Sequence, residues 1–152
     1  MGDNTMVLDT TQGQVVIEMR PDLAPGHVAR IKALVREGFY DGIVFHRVID
    51  GFMAQTGCPQ GTGTGGSGQK LKAEFNREPH VRGTVSMARA QSPDSGDSQF
   101  FICFDEARFL DGKYTVWGKV TSGMENVDKI KRGEPVQSPD KIVKAHMAAD
   151  AA

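Results

Sequence analysis

In the stretch FHRVIDGFMAQTG, residues 45–57, Arg47 stands among Phe45, Val48, Ile49, Phe52 and Met53, with Gln55 close behind. A guanidinium keeps its charge at any working pH and offers several N–H donors in a rigid fork. Held over an apolar surface, it suits a ligand that is mostly apolar with one polar handle. An aromatic group follows: Phe100, Phe101, Phe104, Phe109 and Tyr114. Strand alternation over Gln99–Phe104 sends Phe101 and Cys103 to one face and Phe100, Ile102 and Phe104 to the other. If one face lines an enclosed core, the other looks outward.

Other chemistries are poorly supported. The glycine run GCPQGTGTGGSGQK contains G-x-G-x-x-G twice, at Gly61/Gly63/Gly66 and Gly63/Gly65/Gly68. A dinucleotide fingerprint leaves a strand and opens a helix, whereas here Cys58-Pro59 precedes and Gln69-Lys70-Leu71-Lys72 follows. The run reads as a surface loop, either flexible or flanking a ligand. Gly96-Asp97-Ser98-Gln99 lacks the closing glycine of a nucleophile elbow, so Ser98 reads as a turn residue. His27, His46, His80 and His146 show no i, i+4 pairing and neither cysteine has a C-x-x-C partner, so no metal is expected. Asp105-Glu106 reads as a solvated turn or a helix start.

The elements that position these residues follow from periodicity. Val7-Leu8-Asp9 and Val15-Val16-Ile17-Glu18 form a hairpin with Gly13 in its turn. After Pro25, apolar Val28, Ile31, Leu34 and Val35 trace one face of a helix that ends near Gly38. Asp50-Gly51 marks a second hairpin, with its register open. A two-residue loop pairs Arg47 with Ala54, and a three-residue loop through Phe52 pairs Arg47 with Gln55 and Ile49 with Met53. Strands are expected at 85–88, 99–104, 116–120 and 141–145. A helix is expected over Met124–Lys131, and a frayed tail over Ala148–Ala152. About eight strands with two helices and no second core predict a mainly β fold, a closed antiparallel barrel without exposed edges.

The 152 residues, 39% apolar and 24% charged, suit one soluble domain spanning residues 1–152, with its core at about 6–147. Eighteen basic and 19 acidic side chains nearly cancel, which gives no electrostatic case for nucleic acid or a membrane surface. No apolar run approaches a membrane span, and MGDNTMVLDTTQG has neither the basic nor the apolar region of a signal peptide. A cytoplasmic protein is expected, monomeric, with Cys58 and Cys103 as reduced structural thiols.

Taken in order, Phe45-His46-Arg47-Val48-Ile49, Gly51-Phe52-Met53-Ala54-Gln55, Gly63-Thr64-Gly65-Gly66, Ser86-Met87-Ala88, Ser98-Gln99-Phe100-Phe101-Ile102 and Leu110-Asp111-Gly112-Lys113 form a linked set. This set resembles the cyclophilin family of peptidyl-prolyl cis/trans isomerases, in its compact bacterial form, over roughly residues 6–147. The resemblance implies an eight-stranded antiparallel barrel capped by two helices, with the substrate groove outside. It also implies rotation about X–Pro bonds of peptides and unfolded proteins, and assistance to protein folding. No covalent bond breaks in that reaction, so no nucleophile, metal or cofactor is expected.

On this resemblance, Arg47 is the catalytic donor to the prolyl nitrogen, and Gln55 orients it and bonds the substrate backbone. Phe52, Met53, Phe101 and Leu110 form the proline pocket, Ala88 and Arg89 hold the preceding residue, and Gln99 and Gly63 lie at the rim. Three positions depart from the family pattern. Arg89 replaces the usual asparagine and adds a charge that favours acidic groups before proline. Phe109 stands where many eukaryotic members carry a tryptophan whose N–H bonds cyclosporin, so weak cyclosporin binding is expected. Tyr114 stands where histidine is frequent. A proline-peptide binding module and a purely structural barrel remain alternatives, and the pairing of Arg47 with Gln55 favours an enzyme.

Overall fold

A computed structural model describes residues 3–150 of the chain. The last two residues of the expected tail, Ala151-Ala152, lie outside the described residues. The chain begins with β1 (Thr5–Thr10) and β2 (Gly13–Met19), paired antiparallel from Thr10↔Gly13 to Thr5↔Glu18. The loop is therefore Thr11-Gln12, and Gly13 at φ +123° opens the return strand. Along β2, Val15, Ile17 and Met19 point inward and the residues between them outward, the period-two pattern of a half-buried strand.

Helix α1 (Pro25–Arg36) starts with proline, whose missing N–H removes one unsatisfied donor of the first turn. The next two donors, the amides of Gly26 and His27, are taken by the Glu74 carboxylate at 3.0 and 2.8 Å. The cap comes from a distant loop rather than from the residue before the helix. Val28, Ile31, Leu34 and Val35 are buried as their spacing predicts. Gly38 at φ +76° ends the helix, with Gly38 N donating to Val35 O and Phe39 N to Leu34 O.

Six further strands follow: β3 (Arg47–Ile49), β4 (Met53–Thr56), β5 (Thr84–Met87), β6 (Phe100–Cys103), β7 (Val116–Ser122) and β8 (Ile142–Met147). All eight form one antiparallel sheet in the order β3-β4-β6-β5-β7-β2-β1-β8. The expected closed barrel is replaced by a curled, open one. Strands β3 and β8 stand at the two ends of the ladder, and no strand pairing between them appears among the described residues. The gap is crossed by irregular chain: Phe45 N donates to Asp140 O, Ile142 N to Ile43 O, and Val48 and Gly133 exchange both backbone bonds. The isolated bridges Val44↔Lys141 and Val48↔Gly133 stand there in place of a ladder.

Helix α2 is shorter than expected, Met124–Val127 rather than Met124–Lys131. Beyond Val127 the amides of Lys129 and Ile130 reach back only three residues. The Lys131 amide, which a longer helix would give to Val127 O, goes instead to Asp140 Oδ2 at 2.8 Å, and Arg132 Nη1 donates to the carbonyls of Asp128 and Ile130 at 2.7 Å each. Val127 and Ile130 are still buried, as the sequence pattern requires. Ala148–Asp150 forms a 3-10 turn instead of fraying, with Asp150 paired to Arg36 at 2.9 Å.

Two apolar clusters lie on opposite faces of the sheet. The larger holds Trp117, Tyr40, Phe45 and Phe100 together with Ile102, Phe104 and the inner face of α1. The smaller holds Met53, Phe101, Cys103, Ala107 and Leu110, with Ile49, Phe52, Ala88 and Tyr114 against it. Phe101 and Cys103 thus face away from Phe100 and Ile102, as alternation predicts.

Candidate active site

The hairpin register decides what stands beside the outer cluster. A two-residue loop of the favoured type would need φ above zero at both Asp50 and Gly51. Only Gly51 adopts it, at +73°. The loop therefore runs through Phe52, and the pairs are Arg47↔Gln55, Val48↔Ala54 and Ile49↔Met53. Continued across the sheet, Gln55 pairs with Phe101 and Phe101 with Ser86. Paired residues share a face, so Arg47, Gln55 and Phe101 form one row over the outer cluster.

Hydrogen bonds fix that row. Arg47 Nη1 donates to Gln55 Oε1 at 3.3 Å, and Gln55 Nε2 donates to Gln99 Oε1 at 2.9 Å. Gln99 Nε2 donates to the carbonyls of Gly63 and Gly65 at 3.0 and 2.9 Å. Backbone carbonyls only accept, so they set the orientation of both amides in turn. On its other edge, Arg47 Nε donates to Glu134 Oε2 at 2.7 Å.

A cleft of about 130 Å³ opens beside the guanidinium, lined by Arg47, Phe52, Met53, Gln55, Ala88, Arg89, Phe101, Leu110 and Tyr114. A second, of about 270 Å³, shares Gln55, Ala88 and Arg89 and extends over Gly63, Lys70, Asp97 and Gln99. Phe109 is outside both linings. Its ring is 66% exposed and lies 5.6 Å from that of Phe52, at the mouth of the smaller cleft. The structure therefore brings all the expected residues except Phe109 into the two linings: Arg47 on β3, Met53 and Gln55 on β4, Phe101 on β6, and Phe52, Gly63, Ala88, Arg89, Gln99, Leu110 and Tyr114 in the connecting segments.

The glycine run is a pinned loop. Asp97 accepts from the amides of Ser67 and Gly68 at 2.8 and 3.0 Å, beside the Gln99 bonds already described. Cys58 is buried beneath the loop, its sulfur taking the amides of Gly63 and Gly65 at 3.3 Å each. Burial pushes this thiol up, but the amides of Gly65, Thr62, Gly63 and Gln60 outweigh it and hold it at about 7. Burial first, and the nearby Asp111 charge second, drive Cys103 up to about 12. Ser98, the turn serine of the sequence, is buried with Oγ donating to Gly57 O at 2.7 Å.

Arg89, expected to add a charge beside the residue before proline, is held by backbone carbonyls. Nε and Nη2 donate to Lys113 O at 3.1 and 2.8 Å, and Nη1 to the carbonyls of Ala90 and Gln91. Its guanidinium also lies 4.6 Å from the Tyr114 ring centroid. The fork is thus engaged within the protein, joining the two loops that flank the cleft.

Two supports were not singled out from the sequence. Glu134 is one, since nothing local to it points toward Arg47. The other is His80, fully buried, whose ring stacks on Phe101 at 6.1 Å and meets Tyr114 edge-on. Its Nδ1 lies 3.0 Å from Asp111 Oδ1 and its Nε2 3.0 Å from Ser86 Oγ. The order Asp-His-Ser resembles a hydrolase relay, yet Ser86 has no exposed surface and also bonds Thr115 O, so no substrate can reach it. The network braces the floor of the cleft. Burial pushes His80 down against the opposing pull of Asp111, which keeps the imidazole neutral near pH 7. Partial burial works to raise Asp111, but Arg108 and the amide and ring of His80 outweigh it and bring the carboxyl down to about 2.

The sequence profile described as "Cyclophilin type peptidyl-prolyl cis-trans isomerase/CLD" matches residues 5–147. The chain belongs to the cyclophilin family. This cyclophilin is 56% identical to a probable peptidyl-prolyl cis-trans isomerase of Brucella suis, over 97% of this chain and 84% of that one. It is 49% identical to peptidyl-prolyl cis-trans isomerase B of Bacillus subtilis, over 80% and 85% of the two chains. Its fold superimposes on a cyclophilin from Hirschia baltica with a TM-score of 0.91 at 35% identity, covering 99% of this chain and 76% of the other. A cyclophilin-type isomerase of Cryptosporidium parvum, crystallised in the presence of the dipeptide Ala-Pro, gives 0.87 at 28% identity, covering 94% and 98%. Peptidyl-prolyl cis-trans isomerase is thus the enzyme class of this cyclophilin and of its curated relatives. Among its described residues no helix is long and apolar enough to cross a membrane.

Proposed function

We propose that this protein accelerates rotation about X–Pro bonds of peptides and folding chains by donating a hydrogen bond from Arg47 to the prolyl amide. The observation that carries the reading is the row Arg47–Gln55–Phe101 set over an outward apolar cluster. The proline ring enters the pocket of Phe52, Met53, Phe101 and Leu110, with Tyr114 as a wall and Phe109 at the mouth. The main chain of Ala88 and Arg89 holds the residue before proline, near Gln99 and Gly63.

Amide resonance sets the barrier, about 18–20 kcal/mol. As the bond twists, the nitrogen lone pair leaves conjugation and becomes a better acceptor. A donor fixed at that nitrogen therefore binds the twisted state more strongly than either planar one, which is the requirement for catalysis. The arginine fork is oriented before the substrate arrives, so little reorganisation accompanies the twist. The acceptor is part of the substrate itself, so the step transfers no proton.

The test compares wild type with Arg47→Ala by exchange NMR on a proline peptide at matched occupancy. A fall of about 10²-fold, roughly 2.7 kcal/mol of transition-state stabilisation, supports the electrostatic reading. Peptide binding without acceleration by either protein would make the groove a recognition surface, the alternative that its apolar lining favours. The Ala-Pro dipeptide used with the Cryptosporidium relative makes a proline peptide the natural first ligand. The reading extends to general folding assistance by a monomer in the cytoplasm, where the two unpaired thiols suit a reducing compartment.

A further inference from the structure

Glu134 lies 87 positions from Arg47 yet faces it, because the backbone on both sides of Glu134 is bonded to both sides of Arg47. Val48 N donates to Gly133 O and Gly133 N to Val48 O, each at 2.8 Å, and Val136 N donates to His46 O at 3.2 Å. Gly133 adopts φ +154°, and a Cβ there would lie 2.8 Å from Pro135 O, so a side chain at this position would displace the segment. Between these anchors the Glu134 carboxylate meets Arg47 Nε at 2.7 Å. The pair is set by main-chain register rather than by two free side chains finding one another.

The atom contacted matters. Glu134 holds the Nε–H edge of the guanidinium and Gln55 accepts from Nη1, so the plane is gripped at two places and neither contact uses Nη2. The grip continues through Gln55 and Gln99 to the carbonyls of Gly63 and Gly65, so that both ends of the relay rest on backbone. We infer that Glu134 is a positioning residue for Arg47, fixing the rotation of the guanidinium so that its donors face the groove before substrate binds. The inference rests on the reading of Arg47 as the donor to the prolyl amide.

The side chains of the pair are 41% and 59% exposed, and ion pairs this open add little to folding stability. The effect belongs in the rate. Charge and orientation pull in opposite directions here, since removing a carboxylate raises the local positive potential and alone would favour an electron-rich nitrogen. Glutamine separates them, because it keeps an acceptor and discards the charge.

The experiment measures kcat and KM for one proline peptide by exchange NMR on wild type, Glu134→Ala, Glu134→Gln, Arg47→Ala and the double variant Arg47→Ala/Glu134→Ala. It also records the Arg47 Nε–Hε resonance and the thermal midpoint. Glu134→Ala is expected to lower kcat about 3- to 10-fold with KM within about twofold, to shift that resonance and speed its exchange with water, and to leave the midpoint nearly unchanged. Glu134→Gln recovers most of the rate, and Glu134→Ala adds no loss in the Arg47→Ala background. A kcat for Glu134→Ala equal to or above wild type overturns the inference, as does an equal loss in both backgrounds. If Arg47→Ala itself keeps the wild-type rate, the reading of Arg47 fails first and takes the inference with it.

Discussion

Arg47 and Gln55 are direct partners across the β3–β4 ladder, and the guanidinium donates to the amide oxygen at 3.3 Å. The amide nitrogen is directed the other way, to Gln99, because Gln99 is itself committed to two glycine carbonyls. Gln99→Ala is expected to release the Gln55 amide and lower kcat/KM by roughly 2- to 12-fold, the range of one net hydrogen bond. Exchange NMR on the variant checks this, and an unchanged rate would show that Gln55 holds its orientation unaided.

Cyclosporin should bind weakly. Phe109 offers an exposed ring at the groove mouth and no donor. Restoring one with Phe109→Trp should tighten the drug by about tenfold, near 1.4 kcal/mol for a single hydrogen bond. Calorimetry on both proteins is the measurement. Equal affinities would place the discrimination elsewhere in the groove.

Because the Arg89 fork is occupied by the carbonyls of Lys113, Ala90 and Gln91, its charge is not free to select substrates. Peptides with glutamate before proline should be turned over within about threefold of those with alanine, since an exposed charge contact contributes only about 0–1 kcal/mol. Arg89→Lys should behave like Arg89→Ala, because an ammonium cannot span the same carbonyls. Both should speed amide exchange in residues 89–91 and 112–114. A strong glutamate preference lost in Arg89→Ala would restore the charge-selection reading.

Acid should weaken the brace under Phe101. The Asp111 carboxyl sits at about 2 in the fold against an ordinary value of 3.8, so the unfolded chain protonates first as pH falls. Its contribution is complete above about pH 4 to 5 and is lost as pH drops toward 2. Asp111→Asn should therefore cost roughly 1–2 kcal/mol at pH 7, a figure reduced for solvent screening of a partly exposed group, and nothing near pH 2. His27 and His80 act in the same direction from higher pH. Burial depresses both below 6.5, so the unfolded state takes up their protons first and stability declines as pH falls below that value. Urea titrations at stepped pH would display both ranges.

Much of the fold was legible in local pattern. The first hairpin, the buried face of α1 and the two-sided β6 all follow from periodicity, which depends only on neighbouring residues. Misreadings arose where distant groups intervene. Asp140 takes the Lys131 amide where a longer α2 was expected, and Asp150 pairs with Arg36 in a tail expected to fray. Closure of the barrel failed as an expectation because pairing at a sheet edge depends on strand ends and bends that alternation does not report.

The candidate site divides in the same way. Residue types alone showed an arginine and a glutamine beside an apolar face, and the linked strings resembled cyclophilins. Whether Arg47 met Gln55 or Ala54 was open, because both loop lengths fit Asp50-Gly51, and the choice rested on which residue took a positive φ. Glu134 and His80 were beyond reach, since a contact across 87 residues leaves no periodic trace. Local chemistry determines which face of each strand is apolar. Only the tertiary structure decides which side chains from separate strands share an edge of the guanidinium, because that depends on register and loop closure summed over the whole chain.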